Sequence, residues 1–210
     1  MSVVELEIKP LKKKDFSKAI QFAIEGMHFD RYMTDETVLN LYGRYFWYME
    51  MNRSTHLIAA YYGEELAGVL LADMDGEKKA HYSFWRNLYV KFVDWIQRMF
   101  FKEGVGPYNQ ANKEMLRSFS KQYQLDGEIC FLAANPDIKG KGIGSLLLAE
   151  LERRESGKRI YLFTDNNCTY QFYEHRGFDR VREKEVSLDF ADGNTVSLSC
   201  YLYSKVCGEK

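Results

Sequence analysis

This chain lacks an excess of either charge. Its 29 basic and 30 acidic residues leave a net charge of −1 over 210 residues, so no footprint for a nucleic acid or other polyanion is visible at the level of the whole chain. Closely spaced cysteine pairs are missing too. Cys130, Cys168, Cys200 and Cys207 have neither short paired spacing nor histidine companions at metal-ligand intervals. That reads as reduced thiols in a cytoplasmic protein, not as a disulfide framework or a zinc motif. No apolar signal core opens the sequence, and no uncharged run approaches the length of a membrane span. A soluble intracellular protein without a membrane partner is expected. His28, His56, His81 and His175 are scattered and no carboxylate pair stands at ligand spacing, so the expected metal content is none. The length suits a single domain over 1–210, with or without an insertion.

What is present is a clear alternation of strand and helix patterns. Residues 3–8 read as a first strand, and Asp15 is placed to cap a helix reaching about residue 25. A polar and aromatic connection over 26–34 leads to a second helix over 35–51, with Val38, Leu41, Tyr42, Tyr45, Phe46 and Met49 on one stripe. Residues 56–62 and 66–73 form a hairpin across Gly63 and Glu64. Later strands are expected at 127–134, 159–164, 178–190 and 195–206, the last pair turning at Asp192-Gly193. Helices at 142–155 and 169–175 lie between them. Only the step from the fourth strand to the fifth is a parallel crossover. The expected fold class is α/β of the α+β kind: a mixed, mostly antiparallel sheet of six to seven strands flanked by helices.

Residues 77–124 break this order and read as an inserted helical pair between the third and fourth strands. Trp85, Tyr89, Phe92, Ile96 and Phe100 recur at helical spacing there. Such a stripe calls for a cover: the domain itself, an acceptor site, or a second copy of the chain, which leaves a homodimer open.

The most informative stretch runs from Phe131 to Ser145. A short apolar run passes through a turn into the basic, glycine-rich segment Lys139-Gly140-Lys141-Gly142-Ile143-Gly144, which opens an amphipathic helix. Unpaired amides at a helix N-terminus, together with the helix dipole, favour an anion, and glycines let the backbone approach it closely. A P-loop is excluded, because Lys141 is followed by Gly142 and Ile143 where a metal-binding hydroxyl would be needed. A dinucleotide loop fits less well, since residues 135–139 separate the strand from the first glycine and no further βαβ units follow.

The same segment resembles the coenzyme A pyrophosphate loop of the GNAT superfamily of N-acetyltransferases, with Lys139 where the family usually has Gln or Arg. Downstream, Asn167, Tyr173, Gly177 and Phe178 are similar to that family's second signature. The resemblance is close over about 127–180. It implies acetyl-CoA as co-substrate, held by Lys139, Gly140, Lys141, Gly142, Ile143, Gly144 and Ser145, by Leu132, Ala133 and Ala134 of the fourth strand, and by Asn167. It further implies that Tyr173 protonates the departing thiolate. Asn167 could instead cap the helix that follows it.

An amine attacking a thioester must first lose a proton, since a lysine-like amine has a pKa of about 10.4. Glu128, at the start of the fourth strand, is the candidate base, and it sits where histone-type members of the family carry theirs. Its alternative role is a strand-end carboxylate that keeps the edge soluble. Asp126, in the preceding turn, is a weaker candidate. In the family the connection over 26–34 borders the acceptor, which makes His28, Phe29, Arg31 and Tyr32 candidate substrate contacts. The leading expectation is an acetyl-CoA-dependent N-acetyltransferase acting by direct attack in a ternary complex on a small-molecule or peptide amine. The alternative is a non-catalytic acyl-CoA-binding or sensing module. The acceptor itself is not legible.

Overall fold

Seven strands run in the order β1-β2-β3-β4-β5-β7-β6. They appear in a computed structural model that describes residues 5–29, 35–100, 106–138, 140–189 and 195–208. The sheet is mixed and flanked by helices, as the strand pattern predicts. By their internal contacts the residues fall into two compact units, Met1–Val93 with Ile129–Glu155, and Asp94–Glu128 with Ser156–Lys210.

In the first unit β1 (Leu6–Lys9), β2 (His56–Tyr62) and β3 (Glu65–Met74) are antiparallel neighbours, with Leu6 opposite Tyr62 and His56 opposite Ala72. The β2–β3 turn falls at Gly63, whose φ of +62° suits glycine. Nearly all of β3 is buried, because helices α1 (Phe16–Gly26) and α5 (Ile143–Arg154) both pack on it. Ala19, Phe22, Ala23 and Ile24 of α1 meet Phe46, Trp47 and Met51 of α2 (Glu36–Arg53), together with Phe131 and Ala133 of β4 (Gly127–Ala134).

Two details depart from the expected pattern. Asp15 does not cap α1 with its side chain. Its Oδ2 accepts a 2.8 Å hydrogen bond from the buried Tyr61 hydroxyl, which in turn accepts from the Lys12 amide. The α2 stripe is also rotated. Val38 and Leu41 are about half exposed, whereas Trp47 is fully buried. Gly43 sets this crossing: a Cβ there would lie 2.4 Å from Ile24 Cγ1. Asp35 does cap α2, accepting from the Val38 amide at 3.0 Å.

Helix α3 (Phe84–Phe100) turns Val90 and Val93 toward Tyr45, Tyr48 and Met49 of α2. Its aromatic stripe faces the other way, with Trp85 75% exposed and Phe92 56%. The expected cover for that stripe is therefore not supplied by the described residues around it. In the second unit α4 (Gly106–Phe119) packs on the antiparallel pair β6 (Asp179–Asp189) and β7 (Thr195–Val206), where Met115 and Phe119 join Leu188, Leu198, Cys200 and Leu202. Strand β5 (Arg159–Asp165) is antiparallel to β7 throughout and parallel to β4 at Gly127↔Ile160 and Glu128↔Tyr161. The turn expected at Asp192-Gly193 lies outside the described residues.

Candidate active site

The glycine-rich turn is held at its root by Asn135. Its amide donates to the Ala67 carbonyl at 2.7 Å, its side chain donates to Glu65 Oε1 at 3.2 Å, and its Oδ1 accepts from the Asp137 amide at 3.0 Å. This buried anchor turns the chain out of β4 and back toward α5. Gly140 and Gly142 have φ of +70° and +69°, and a Cβ on either would meet nothing within 4 Å. The glycines are thus required by backbone conformation, and the space above them is open. Gly142 is the N-cap of α5 and has no side chain to bond the first turn. The helix itself offers no partner for the amides of Ile143, Gly144 and Ser145. That is a donor set suited to a pyrophosphate.

Ile143 divides its roles. Its side chain is buried, 2.6 Å from where a Cβ on Gly68 would stand, so only its amide is available to a ligand. The Lys141 ammonium lies 5.4 Å from the centre of the Tyr62 ring. Lys139 lies outside the described residues.

Along β4 burial alternates. Ile129, Phe131 and Ala133 face the core, while Glu128, Cys130, Leu132 and Ala134 are half-buried or exposed. Of the three cofactor-strand residues, Leu132 and Ala134 therefore share the open face with Glu128, and the Ala133 side chain points inward. Asp126 is excluded as a base by its bonding: Oδ2 accepts from the Arg159 amide at 2.7 Å, and its own amide donates to the Arg159 carbonyl. It splices the start of β5 to the turn before β4.

The second signature lies in the second unit. Asn167 sits in a turn whose amide donates to Asp165 Oδ1 at 2.8 Å. It does not cap the short helix α6 (Gln171–Glu174), whose N-cap is Tyr170. Tyr173 is half-buried and packs edge-on to Phe172 and Phe178. Its carbonyl accepts from the Arg176 and Phe178 amides, and Gly177 at φ +76° closes the turn. Desolvation raises the Tyr173 pKa well above the ordinary phenol value, with Cys168 adding to the shift. A phenol so placed keeps its proton. Burial also pushes the Cys168 thiol up, to about 11, which removes it as a thiolate nucleophile at neutral pH.

The connection after α1 yields one correction. Phe29 is a core residue, packed edge-on to Tyr42 and Phe46 at 4.8 and 5.3 Å, and not an open acceptor contact. His28 adopts φ +52°, a strained value for a non-glycine residue. Arg31 and Tyr32 lie outside the described residues. Three features escape a reading by motif: Gly68, which admits α5 against β3; Asn135, which anchors the turn; and a convergence of His56, Glu77 and Glu155. Only long-range contacts bring those last three together.

A mixed sheet whose fourth strand turns through glycines into an uncapped helix is the frame of an acyltransferase. Residues 113–180 match the family model of the acetyltransferase (GNAT) domain. A search of curated proteins returned no match. Among solved structures the chain is similar to PH1933 from Pyrococcus horikoshii, at 16% identity, a TM-score of 0.55, and coverage of 96% of this chain and 99% of that one. It is similar to Arabidopsis thaliana NAA60 in complex with a bisubstrate analogue, at 15% identity and a TM-score of 0.54, with 97% and 99% covered. A histone acetyltransferase HPA2-related acetyltransferase from Corynebacterium glutamicum gives 14%, 0.52, and 98% of each chain. The family-model match and the shared fold support placing this chain in the GNAT superfamily, with acyl transfer as its class of activity. No helix among the described residues is long and apolar enough to cross a membrane.

Proposed function

We propose that this protein transfers the acetyl group of acetyl-CoA to a primary amine by direct attack in a ternary complex. The observation that carries the reading is the start of α5, where two left-handed glycines leave the helix amides unobstructed. Those amides would take the pyrophosphate, with Lys139 and Lys141 as nearby charge. The backbone of Leu132, Ala133 and Ala134, and Asn167, would hold the pantetheine arm. The amine nitrogen forms a bond to the thioester carbonyl carbon as the carbon–sulfur bond breaks. Glu128 takes the proton the amine must lose, directly or through water, and Tyr173 gives one to the leaving sulfur. An acceptor with a lysine-like pKa is almost wholly protonated at neutral pH, so the base has a real task.

Calorimetric titration with acetyl-CoA, followed by a thiol-release screen over small amines, amino acids and peptides, tests the proposal. Micromolar binding with thiol release for one acceptor class is expected. Binding without release across the panel would favour an acyl-CoA sensor, and no binding would end the proposal. Replacing Gly142 with Val is expected to abolish cofactor binding while the protein stays folded. The space at that position is open, so the loss follows from the left-handed φ and from a side chain in the anion's path.

A further inference from the structure

We propose that His56, Glu77 and Glu155 form a site for a divalent transition-metal ion, best fitted by zinc, separate from the glycine-rich turn. The three come from the first residue of β2, the turn after β3 and the C-cap of α5. Their ligand atoms all lie within 4.8 Å of one another. His56 Nε2 stands 2.8 Å from Glu155 Oε1 and 3.2 Å from Glu77 Oε2. Ligands around a shared zinc at bond lengths near 2.0–2.1 Å are themselves roughly 3–3.5 Å apart, so little movement is needed to admit one.

The histidine nitrogen gives the second observation. Nε2 is shielded from solvent and has no hydrogen-bond partner among the described residues, even though both carboxylates are within bonding distance. Their direction, not their distance, fails the test of a hydrogen bond. Oxygens set around a ring nitrogen but off its axis are placed as co-ligands of one ion would be. Charge favours the same answer. Glu155 is 5% exposed, and a buried carboxylate beside a second one is costly without a compensating cation. A histidinium would offset one negative charge. A dication on a neutral imidazole offsets both, and the C-terminal end of α5 adds its own negative partial charge.

The donor set of one imidazole and two carboxylates suits zinc and its first-row neighbours and is poor for a soft ion. Glu77 is the most open of the three, which provides an entry path and room for a water ligand. Gly142 and Glu155 bracket the 12-residue α5, so the proposed ion lies about 18 Å along the helix from the glycine-rich turn. Its role is to clamp β2, the β3 turn and α5 together, not to take part in acyl transfer.

The full chain, stripped with a chelator, is titrated with Zn²⁺ by calorimetry and with Co²⁺ by visible absorption. One equivalent is expected to bind, with nitrogen–oxygen ligand-field bands for cobalt and a rise in Tm of roughly 5–10 °C at a hundredfold excess over Kd. His56→Asn and Glu77→Gln should each weaken binding by about 100-fold or more. Glu77→Gln, in a partly exposed turn, separates loss of the site from loss of the fold, and its affinity for acetyl-CoA should be unchanged. The proposal is overturned by absence of saturable binding to the wild-type chain, or by undiminished binding in both variants. A cobalt–thiolate charge-transfer band, placing the ion on cysteines, would overturn it equally.

Discussion

The roles proposed for single side chains differ in how they respond to pH. Tyr173 has a folded-state pKa raised by desolvation, so its acid form persists above the ordinary phenol value of about 10. The rate is therefore expected to show no loss from tyrosine ionisation up to pH 10, and a descending limb centred at or below pH 9 that vanishes in Tyr173→Phe would contradict it. Tyr173→Phe should lower kcat with little change in acetyl-CoA affinity, because only the leaving sulfur needs that proton. Glu128→Gln should lower kcat most at neutral pH, by about 10²–10⁴-fold, and recover partly toward pH 10 as the amine deprotonates unaided. Gly68 lends itself to a stability measurement. A Cβ there would stand 2.6 Å from Ile143 Cγ2 and 2.9 Å from the Ala133 carbonyl oxygen, and the carbonyl is backbone that cannot rotate away. Gly68→Ala is expected to cost about 1–3 kcal/mol in urea denaturation. Because Ile143 opens the helix that presents the amides, acetyl-CoA affinity should fall with it, and unchanged stability would show that α5 shifts freely.

At the level of elements, the strands and the glycine-rich turn were legible because short-range patterns determine them. β4 over 127–134 and the alternation that places Glu128, Leu132 and Ala134 on one face follow from a period of two. The faces of α2 and α3 were less legible. Both helices are aromatic on more than one side, so periodicity alone cannot say which stripe turns inward. For α2 the answer lies in Gly43, whose missing Cβ draws α1 to that side. For α3 it lies in Val90 and Val93, which are modest in hydrophobicity beside Trp85 and Phe92 but fit against Tyr45. Helix stability should follow the observed burial. Trp85→Ser, at a position 75% exposed, is expected to change stability by less than about 0.5 kcal/mol. Val93→Ala, at 6% exposure, should cost more than 1 kcal/mol. Thermal melts of the two variants side by side check this. The reverse order would mean that the exposed aromatic face of α3 is covered in solution, by a second copy if sedimentation shows a change in mass.

For the whole molecule, legibility ended where contacts depend on residues far apart in sequence. Asn135 reaches back to Ala67 and Glu65, and His56 meets Glu155, and no spacing rule connects such pairs. Charge, by contrast, is a property of the whole chain that composition states directly. With 29 basic against 30 acidic residues and an isoelectric point near 6.4, the long-range field is weak at neutral pH. Many basic side chains are also engaged locally: Lys12 and Lys18 pair with Glu64 and Glu65, Arg153 and Arg154 with Glu150, and Arg180 with Glu174. Pairing of that kind cancels potential at a distance greater than the Debye length of about 8 Å in physiological salt. A polyanion would find few uncompensated cations to release its counterions. The protein is therefore expected to pass through a heparin column at about 0.15 M salt, and a fluorescent duplex added at micromolar protein should show no salt-dependent binding. A steep fall in duplex affinity between 50 and 200 mM salt, the mark of several phosphate contacts, would reveal a basic surface that the balance of charges conceals, and would redirect the search for the acceptor toward proteins bound to nucleic acid.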